Sequence, residues 1–196
     1  TKNMLSLKNS LAVLKKTNAL LEGHFVLSSG LHSPRYVQCA KLLSKPTQAK
    51  KFISSLATKI KRNIKSFDII LSPAMGGVII GYEIGRLLKK ETIFCERVDK
   101  KFKLRRGFYI KKKAKILIVE DVITTVKSSL ECVRLIKKFG GKFVGIACLI
   151  DRSKKLKMSK KIISQVKLDI PVYKRNKLPT SLKNIRITKP GSRYLK

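Results

Sequence analysis

The stretch KILIVEDVITTVKSS, Lys115 to Ser129, constrains the fold more than any other part of the chain. Apolar and β-branched residues run straight into two adjacent acids, Glu120 and Asp121. Thr124 and Thr125 follow, and Ser128 and Ser129 open an amphipathic run. A short, continuously apolar run bounded by polar residues reads as a strand buried on both faces, the kind found in parallel sheets covered by helices. The turn from such a strand into a helix aims backbone N–H groups and the positive end of the helix dipole at an anion. Hydroxyls add donors to phosphate oxygens. Adjacent carboxylates at a strand end can hold ribose hydroxyls or orient a hydrated Mg²⁺. The competing reading is a capped loop with exposed acids. The chain has only 11 Asp and Glu against 46 Lys and Arg, and a solvated basic surface does not call for two adjacent acids at a sheet mouth.

The rest of the chain supplies the partners such a strand needs. Asn3 to Leu20 carries Leu7, Leu11 and Leu14 at helical spacing, and Phe25 to Tyr36 reads as strand and turn. Pro46 opens a helix to about Asn63. Asp68–Ser72 is a short buried strand, PAMGG a turn and Val78–Lys89 a helix. Thr92–Cys95 is a strand, Glu96–Gly107 a polar segment and Lys115–Glu120 the central strand. Asp121–Ser128 is a turn and Ser129–Phe139 a helix stopped by Gly140 and Gly141. Lys142–Ile150 is another strand, ending at Asp151 and Arg152. Alternating strands and helices predict an α/β fold with a parallel sheet. Its ligands bind beyond the carboxyl ends of the strands, where PAMGG, EDVITTVKS and DRS all fall. The 196 residues read as one domain, 1–196.

Composition narrows the function. The net charge is +35, which raises a nucleic-acid reading. The bases are spread along the whole chain, Lys supplies 35 of the 46, and Trp is absent. Arg is the better reader of base edges and aromatics make the stacking platforms, so this pattern argues against nucleic acid. A solvated Lys-rich surface, or a positive field that draws in small anions, fits better. Cys39, Cys95, Cys132 and Cys148 show neither CxxC nor metal-ligand spacing. Ile69–Gly85 is interrupted by Ser72, Pro73, Gly76, Gly77 and Glu83 and does not read as a membrane span. With no signal-peptide pattern, the expectation is a cytoplasmic protein without membrane partners.

VEDVITTVKSS resembles the phosphoribosyl-diphosphate (PRPP) motif of the type I phosphoribosyltransferases: two acids, two apolar residues and a Thr-rich loop. Further segments are similar to the orotate-specific branch in its bacterial form. HFVLSSGLHSPRYVQ (24–38) resembles its N-terminal substrate segment, and SPAMGGVIIGYEIGR (72–86) its diphosphate-side loop and helix. FCERVDKKFKLRRGFYI (94–110) is similar to its mobile loop, LIDRS (149–153) to its orotate-binding strand end, and KPGSR (189–193) to its tail. The resemblance covers nearly the whole chain in order. It implies the type I phosphoribosyltransferase fold, a mostly parallel central sheet flanked by helices, with a small hood from the two termini and a mobile loop.

It also implies transfer of ribose 5-phosphate from PRPP to orotate, giving orotidine 5′-monophosphate and diphosphate in pyrimidine biosynthesis. Mg²⁺ would be held mainly by PRPP. By the same resemblance, Glu120 and Asp121 hold the ribose hydroxyls. PRPP is bound by Glu120, Asp121, Val122, Ile123, Thr124, Thr125, Val126, Lys127 and Ser128, the last five forming the 5-phosphate cradle. Arg152 and Thr124 contact orotate. Arg97, Lys100 and Lys101 neutralise the leaving diphosphate when the 97–107 loop closes over the partner site of a homodimer. His24 and His32 are equally open to a contact or a structural role. Two positions depart from the pattern. Val126 and Lys100 stand where the family has Gly, and Gly gives access to positive φ. Val126 is unfavourable in such a backbone. Two other readings stay open: a phosphoribosyltransferase for another base, and a nucleic-acid-binding regulator on the same fold.

Overall fold

A computed structural model describes residues 4–27, 29–153 and 162–190. In chain order the elements are α1 (Leu7–Lys16), β1 (Leu20–Val26), β2 (His32–Val37), α2 (Cys39–Leu43), α3 (Pro46–Asn63), β3 (Ile69–Pro73), α4 (Gly76–Leu88), β4 (Glu91–Val98), β5 (Lys101–Leu104), β6 (Lys115–Ile123), α5 (Lys127–Lys138), β7 (Lys142–Asp151), β8 (Ile162–Lys167), α6 (Thr180–Lys183) and β9 (Ile187–Thr188). Six strands form the central sheet in the order β5-β4-β3-β6-β7-β8. All neighbours are parallel except β4 and β5.

The period of two along each strand sorts its side chains between two cores. On β6, Leu117 and Val119 face the layer of α3 and α4, with Phe52, Leu56, Ile60, Ile80 and Ile84. Ile116 and Ile118 face the layer of α5, with Cys132, Val133 and Ile136. Strand β7 divides in the same way, Ala147 and Leu149 to the first core and Ile146 and Cys148 to the second. Both faces are therefore covered, as the apolar runs predict. Gly81 and Gly85 let α4 lie close on the sheet: a Cβ on either would fall 2.0 Å from the hydroxyl of Ser72 or Thr92.

A second, three-stranded sheet joins the two ends of the chain, in the order β2-β1-β9. β1 and β2 form an antiparallel hairpin, and β9 adds in parallel through His24–Ile187 and Phe25–Thr188. This is the hood that the resemblance implies.

Three boundaries differ from expectation. β6 continues through Asp121 to Ile123, because β7 still pairs there, Val122 with Ile150 and Ile123 with Asp151. α5 starts at Lys127, so the turn shrinks to Thr124, Thr125 and Val126. The polar 96–107 segment is a β-hairpin. Cys95 pairs with Leu104 and Val98 with Lys101 around a two-residue turn, Asp99-Lys100.

Candidate active site

The carboxyl ends of β3, β6 and β7 meet, as the segment pattern predicts. Glu120, at 8% exposure, is buried under the first turn of α5, where Ser129 Oγ donates to its Oε1. Asp121 leans the other way, onto the PAMGG loop. Its carboxylate oxygens lie 2.8 Å from where a Cβ on Gly76 would sit, so a larger residue at Gly76 would displace the Asp121 carboxylate. The Asp121 carboxylate also accepts from the backbone N–H of Val122 at 2.8 Å. Neither acid has a cationic partner within ion-pair distance among the described residues. Burial pushes both carboxyls up, Glu120 to about 7 with help from the neighbouring Asp121 charge. One buried and one half-buried carboxylate without a counter-charge suit hydroxyl donors or a hydrated cation arriving with a ligand.

Thr124, Thr125 and Val126 turn the chain into α5, with Lys127 and Ser128 in its first turn. Thr124, Thr125 and Lys127 are exposed at the mouth, and the backbone N–H groups that open the helix point the same way. Val126 has φ −75° and ψ 8°, a conformation any residue adopts. The expected strain at this position is therefore absent. Its side chain instead packs against the α5 core. The glycine-like geometry lies at the other departure, where Asp99 has φ 51° and Lys100 φ 64°. A two-residue hairpin with both central residues at positive φ matches the twist of its strands, and Gly is favoured in its second position.

Arg152 follows β7, and its backbone N–H donates to the Ile123 carbonyl at 2.7 Å, which fixes it beside the turn. Its Nε is buried and has no partner among the described residues. Tyr36, on β2 of the hood, lies close enough to influence its charge, as does Cys39. Cys39 also places its thiol 3.7 Å from the Asp121 carbonyl. The start of α2, next in sequence to the hood strand β2, thus packs against the end of β6. Tyr36 was visible only as part of a resembling segment, because a lone Tyr in a hairpin carries no chemical signature of its own.

The remaining expected residues divide. Lys100 and Lys101 are exposed at the hairpin tip. Arg97 does not stand free beside them. Its Nη1 donates to Glu131 on α5 at 2.8 Å and to the Lys100 carbonyl at 2.9 Å. His24 and His32 form a buried pair, with His24 Nε2 2.6 Å from His32 Nδ1. His24 Nδ1 faces the Ile185 carbonyl at 3.3 Å. A carbonyl only accepts, so His24 donates through Nδ1 and accepts the His32 proton at Nε2. Both rings are then occupied in holding β1, β2 and the C-terminal segment together. The KPGSR tail reaches beyond the described residues at Gly191, Ser192 and Arg193, as does Ser28 of the substrate segment.

Comparison with known proteins agrees with this geometry. The chain matches the phosphoribosyl transferase domain family over residues 41–182. A protein of Erythrobacter litoralis (strain HTCC2594) named orotate phosphoribosyltransferase is 44% identical over 185 residues, spanning 93% of this chain and 96% of its own. The crystal structure of orotate phosphoribosyltransferase from Aeropyrum pernix superposes with a TM-score of 0.68 at 23% identity, covering 80% of this chain and 92% of that one. Adenine phosphoribosyltransferase from Thermoanaerobacter pseudethanolicus shares the fold at a TM-score of 0.59 and 19% identity, over 68% of this chain and 88% of its own. An acid pair and a helix-opening turn at the sheet mouth, with so close a relative over nearly the full length, place the chain in the phosphoribosyl transferase family, in its orotate phosphoribosyltransferase branch.

Proposed function

We infer that the protein transfers ribose 5-phosphate from PRPP to orotate, releasing diphosphate and forming orotidine 5′-monophosphate. The observation that carries the choice of base is Arg152, whose buried, unpartnered Nε sits beside the phosphate turn under Tyr36. A planar fork with a free donor suits the carboxylate of orotate, which adenine and the other purine bases lack. A nucleic-acid-binding regulator is the less favoured reading, because the close relative carries an enzyme's name over nearly the whole chain.

In this reading the chain positions and stabilises, and it forms no covalent intermediate. The backbone N–H groups and hydroxyls of Thr124, Thr125, Val126, Lys127 and Ser128 receive the 5-phosphate, with Val122 and Ile123 setting the strand end that precedes them. Glu120 and Asp121 take the two ribose hydroxyls. Their negative charge then lies beside the sugar ring, which becomes cationic as diphosphate leaves C1. Thr124 and Arg152 hold orotate. Mg²⁺ supplies charge neutralisation to the diphosphate. In this reading the ion is held mainly by PRPP, and Glu120 and Asp121 are the carboxylates nearest to it. Lys100 and Lys101 at the hairpin tip would meet the diphosphate, and closing the tip would exclude water.

A homodimer completes the proposal, the 97–107 hairpin of one subunit covering the site of the other. Support comes from α4 and the loop before it, where Met75, Ile79 and Tyr82 form an exposed apolar stripe next to the diphosphate-side loop. No helix among the described residues is long and apolar enough to cross a membrane. The test is spectrophotometric consumption of orotate with PRPP and Mg²⁺, run beside adenine and hypoxanthine. Turnover of a purine and not of orotate would overturn the choice of base. For the dimer, a Lys100→Ala/Lys101→Ala chain mixed with an Asp121→Asn chain should recover activity. Random mixing makes half of the dimers hybrid, each with one intact site, so about a quarter of wild-type activity is expected. Recovery no greater than the sum of the parents would place the lid on its own subunit's site.

A further inference from the structure

Arg97 is the penultimate residue of β4, beside the first turn of α5, and its guanidinium has several defined partners. One face lies 4.1 Å over the ring of Phe102. Nη1 spends both protons, on Glu131 Oε2 at 2.8 Å and on the Lys100 carbonyl at 2.9 Å. Nη2 is 3.4 Å from Ser128 Oγ. Ser128 and Glu131 are three residues apart in the first turns of α5, so they lie on one face of that helix. Glu131 is well covered, its side chain at 19% exposure. Swinging Arg97 out to a diphosphate would break an ion pair that is covered only on its Glu131 side, an aromatic contact and a backbone bond together. The side chains of Lys100 and Lys101 are exposed at the tip, while the Lys100 carbonyl takes one of the Arg97 bonds.

We propose that Arg97 is a 5-phosphate residue of its own subunit, and that Glu131 is the positioning residue that holds it at the cradle. This rests on the reading of the site as a PRPP site and changes what the hairpin does within it. The tip serves the diphosphate in the partner subunit's site, and the root serves the phosphate monoester in its own. Nη2 keeps one N–H beyond the Ser128 hydroxyl and Nε keeps another. A dianion seated on the opening turn of α5 lies within reach of that fork. Glu131 lies near the same dianion and is tolerable there only while Arg97 stands between them. Arg97 therefore couples two elements. The hairpin is clamped to α5 whenever the cradle is formed, and a bound phosphate tightens the clamp.

The experiment separates the two ends of the substrate. Binding of ribose 5-phosphate, and separately of inorganic diphosphate with Mg²⁺, is measured by calorimetry at fixed ionic strength on the full chain. Thermal melting confirms folding of each variant. Arg97→Ala should weaken ribose 5-phosphate by about tenfold or more and diphosphate by less than about twofold. Arg97→Lys keeps the charge without the fork; it should show an intermediate loss, on ribose 5-phosphate only, and it serves if the alanine variant does not fold. Glu131→Gln should raise the KM for PRPP by about threefold, with kcat and the KM for orotate nearly unchanged. The double variant Arg97→Ala/Glu131→Gln should bind ribose 5-phosphate no worse than Arg97→Ala alone, because removing the arginine leaves Glu131 repelling the anion. Equal or larger losses on diphosphate would overturn the assignment. Unchanged ribose 5-phosphate binding in Arg97→Ala would do the same while leaving the function standing. A wild-type chain that bound neither ribose 5-phosphate nor PRPP would overturn both.

Discussion

The mouth of β6 and the β4–β5 hairpin lie side by side and treat charge in opposite ways. In the hairpin every acid is clasped: Glu96 by Arg106 at 2.9 Å, Asp99 by Lys103 at 3.2 Å, with Arg97 in turn held by Glu131. At β6 the adjacent Glu120, buried, and Asp121, half-buried, have no cation within ion-pair distance among the described residues, in a chain with four times as many bases as acids. The backbones differ as well. The hairpin bends through two non-glycine residues at positive φ, whereas the phosphate turn passes through ordinary conformations. Residues 96–107 thus pair both of their acids and are strained in their main chain. The β6 mouth has a relaxed main chain and an electrostatic deficit that a ligand can fill. A surface evolved only for solubility would not leave its two most buried neighbouring acids unpaired.

Four substitutions test this contrast. The largest effect is expected from Asp121→Asn, which keeps the shape and removes the charge nearest the developing cation. Turnover should fall on the order of 10²-fold or more, and near wild-type kcat in a folded variant would remove Asp121 from the mechanism. Glu120→Gln comes next and acts on stability as well. The folded carboxyl titrates near 7 against an ordinary 4.5, so its contribution is intact below pH 4.5 and is lost as pH rises through 7. Glutamine relieves that loss. The variant should gain up to about 3 kcal/mol at pH 8 and little at pH 4, while its PRPP affinity falls. A melting-temperature gain that does not vary between those pH values would show that the buried charge is not its source.

Lys100→Gly addresses the strained side of the comparison. Gly accepts positive φ without penalty, so the hairpin should gain roughly 0.5–1 kcal/mol by thermal melting. Catalysis should decline if the lysine meets the diphosphate. Val126→Gly is the smallest and has the opposite sign. At φ −75° glycine only adds freedom to the unfolded chain, so a loss of roughly 0.5–1 kcal/mol is expected, with PRPP affinity unchanged within about twofold. Tighter PRPP binding would mean that the bound turn adopts a conformation that valine resists.

The contrast also marks what could be read from the sequence. Pro46–Asn63 is the helix that its opening proline and apolar spacing predict, and the acid pair stands where an apolar run meets hydroxyls. Both signals are local. The end of β6 was placed too early because a polar residue in a strand looks like a turn, and only the partner strand β7 shows that pairing continues. The hairpin was read as a polar segment because its alternation is carried by charged residues, whose pairing depends on Glu131 some thirty residues away. The substituted glycines show a further limit. A family glycine invites the inference of positive φ, but at Val126 the turn does not use it and at Lys100 it does. The Tyr36–Arg152 neighbourhood joins a hairpin to a strand end more than a hundred residues later, beyond the reach of any periodicity.

The parallel pairing of β9 with β1 has a consequence for the order in which the protein is built. The central sheet has all six of its strands once residue 167 has been made, and the phosphate turn, acid pair and Arg152 all precede that point. The small sheet waits for Ile187 and Thr188 to return to His24 and Phe25, which precede them by about 160 residues. Closing so long a loop is slow compared with pairing neighbours. A nascent chain therefore holds a nearly finished phosphate pocket while the Tyr36 side still lacks its last strand. The base-selective half of the site is the last to be secured, and a chain interrupted between residues 168 and 186 would keep the apparatus for the sugar phosphate without the completed cover for the base.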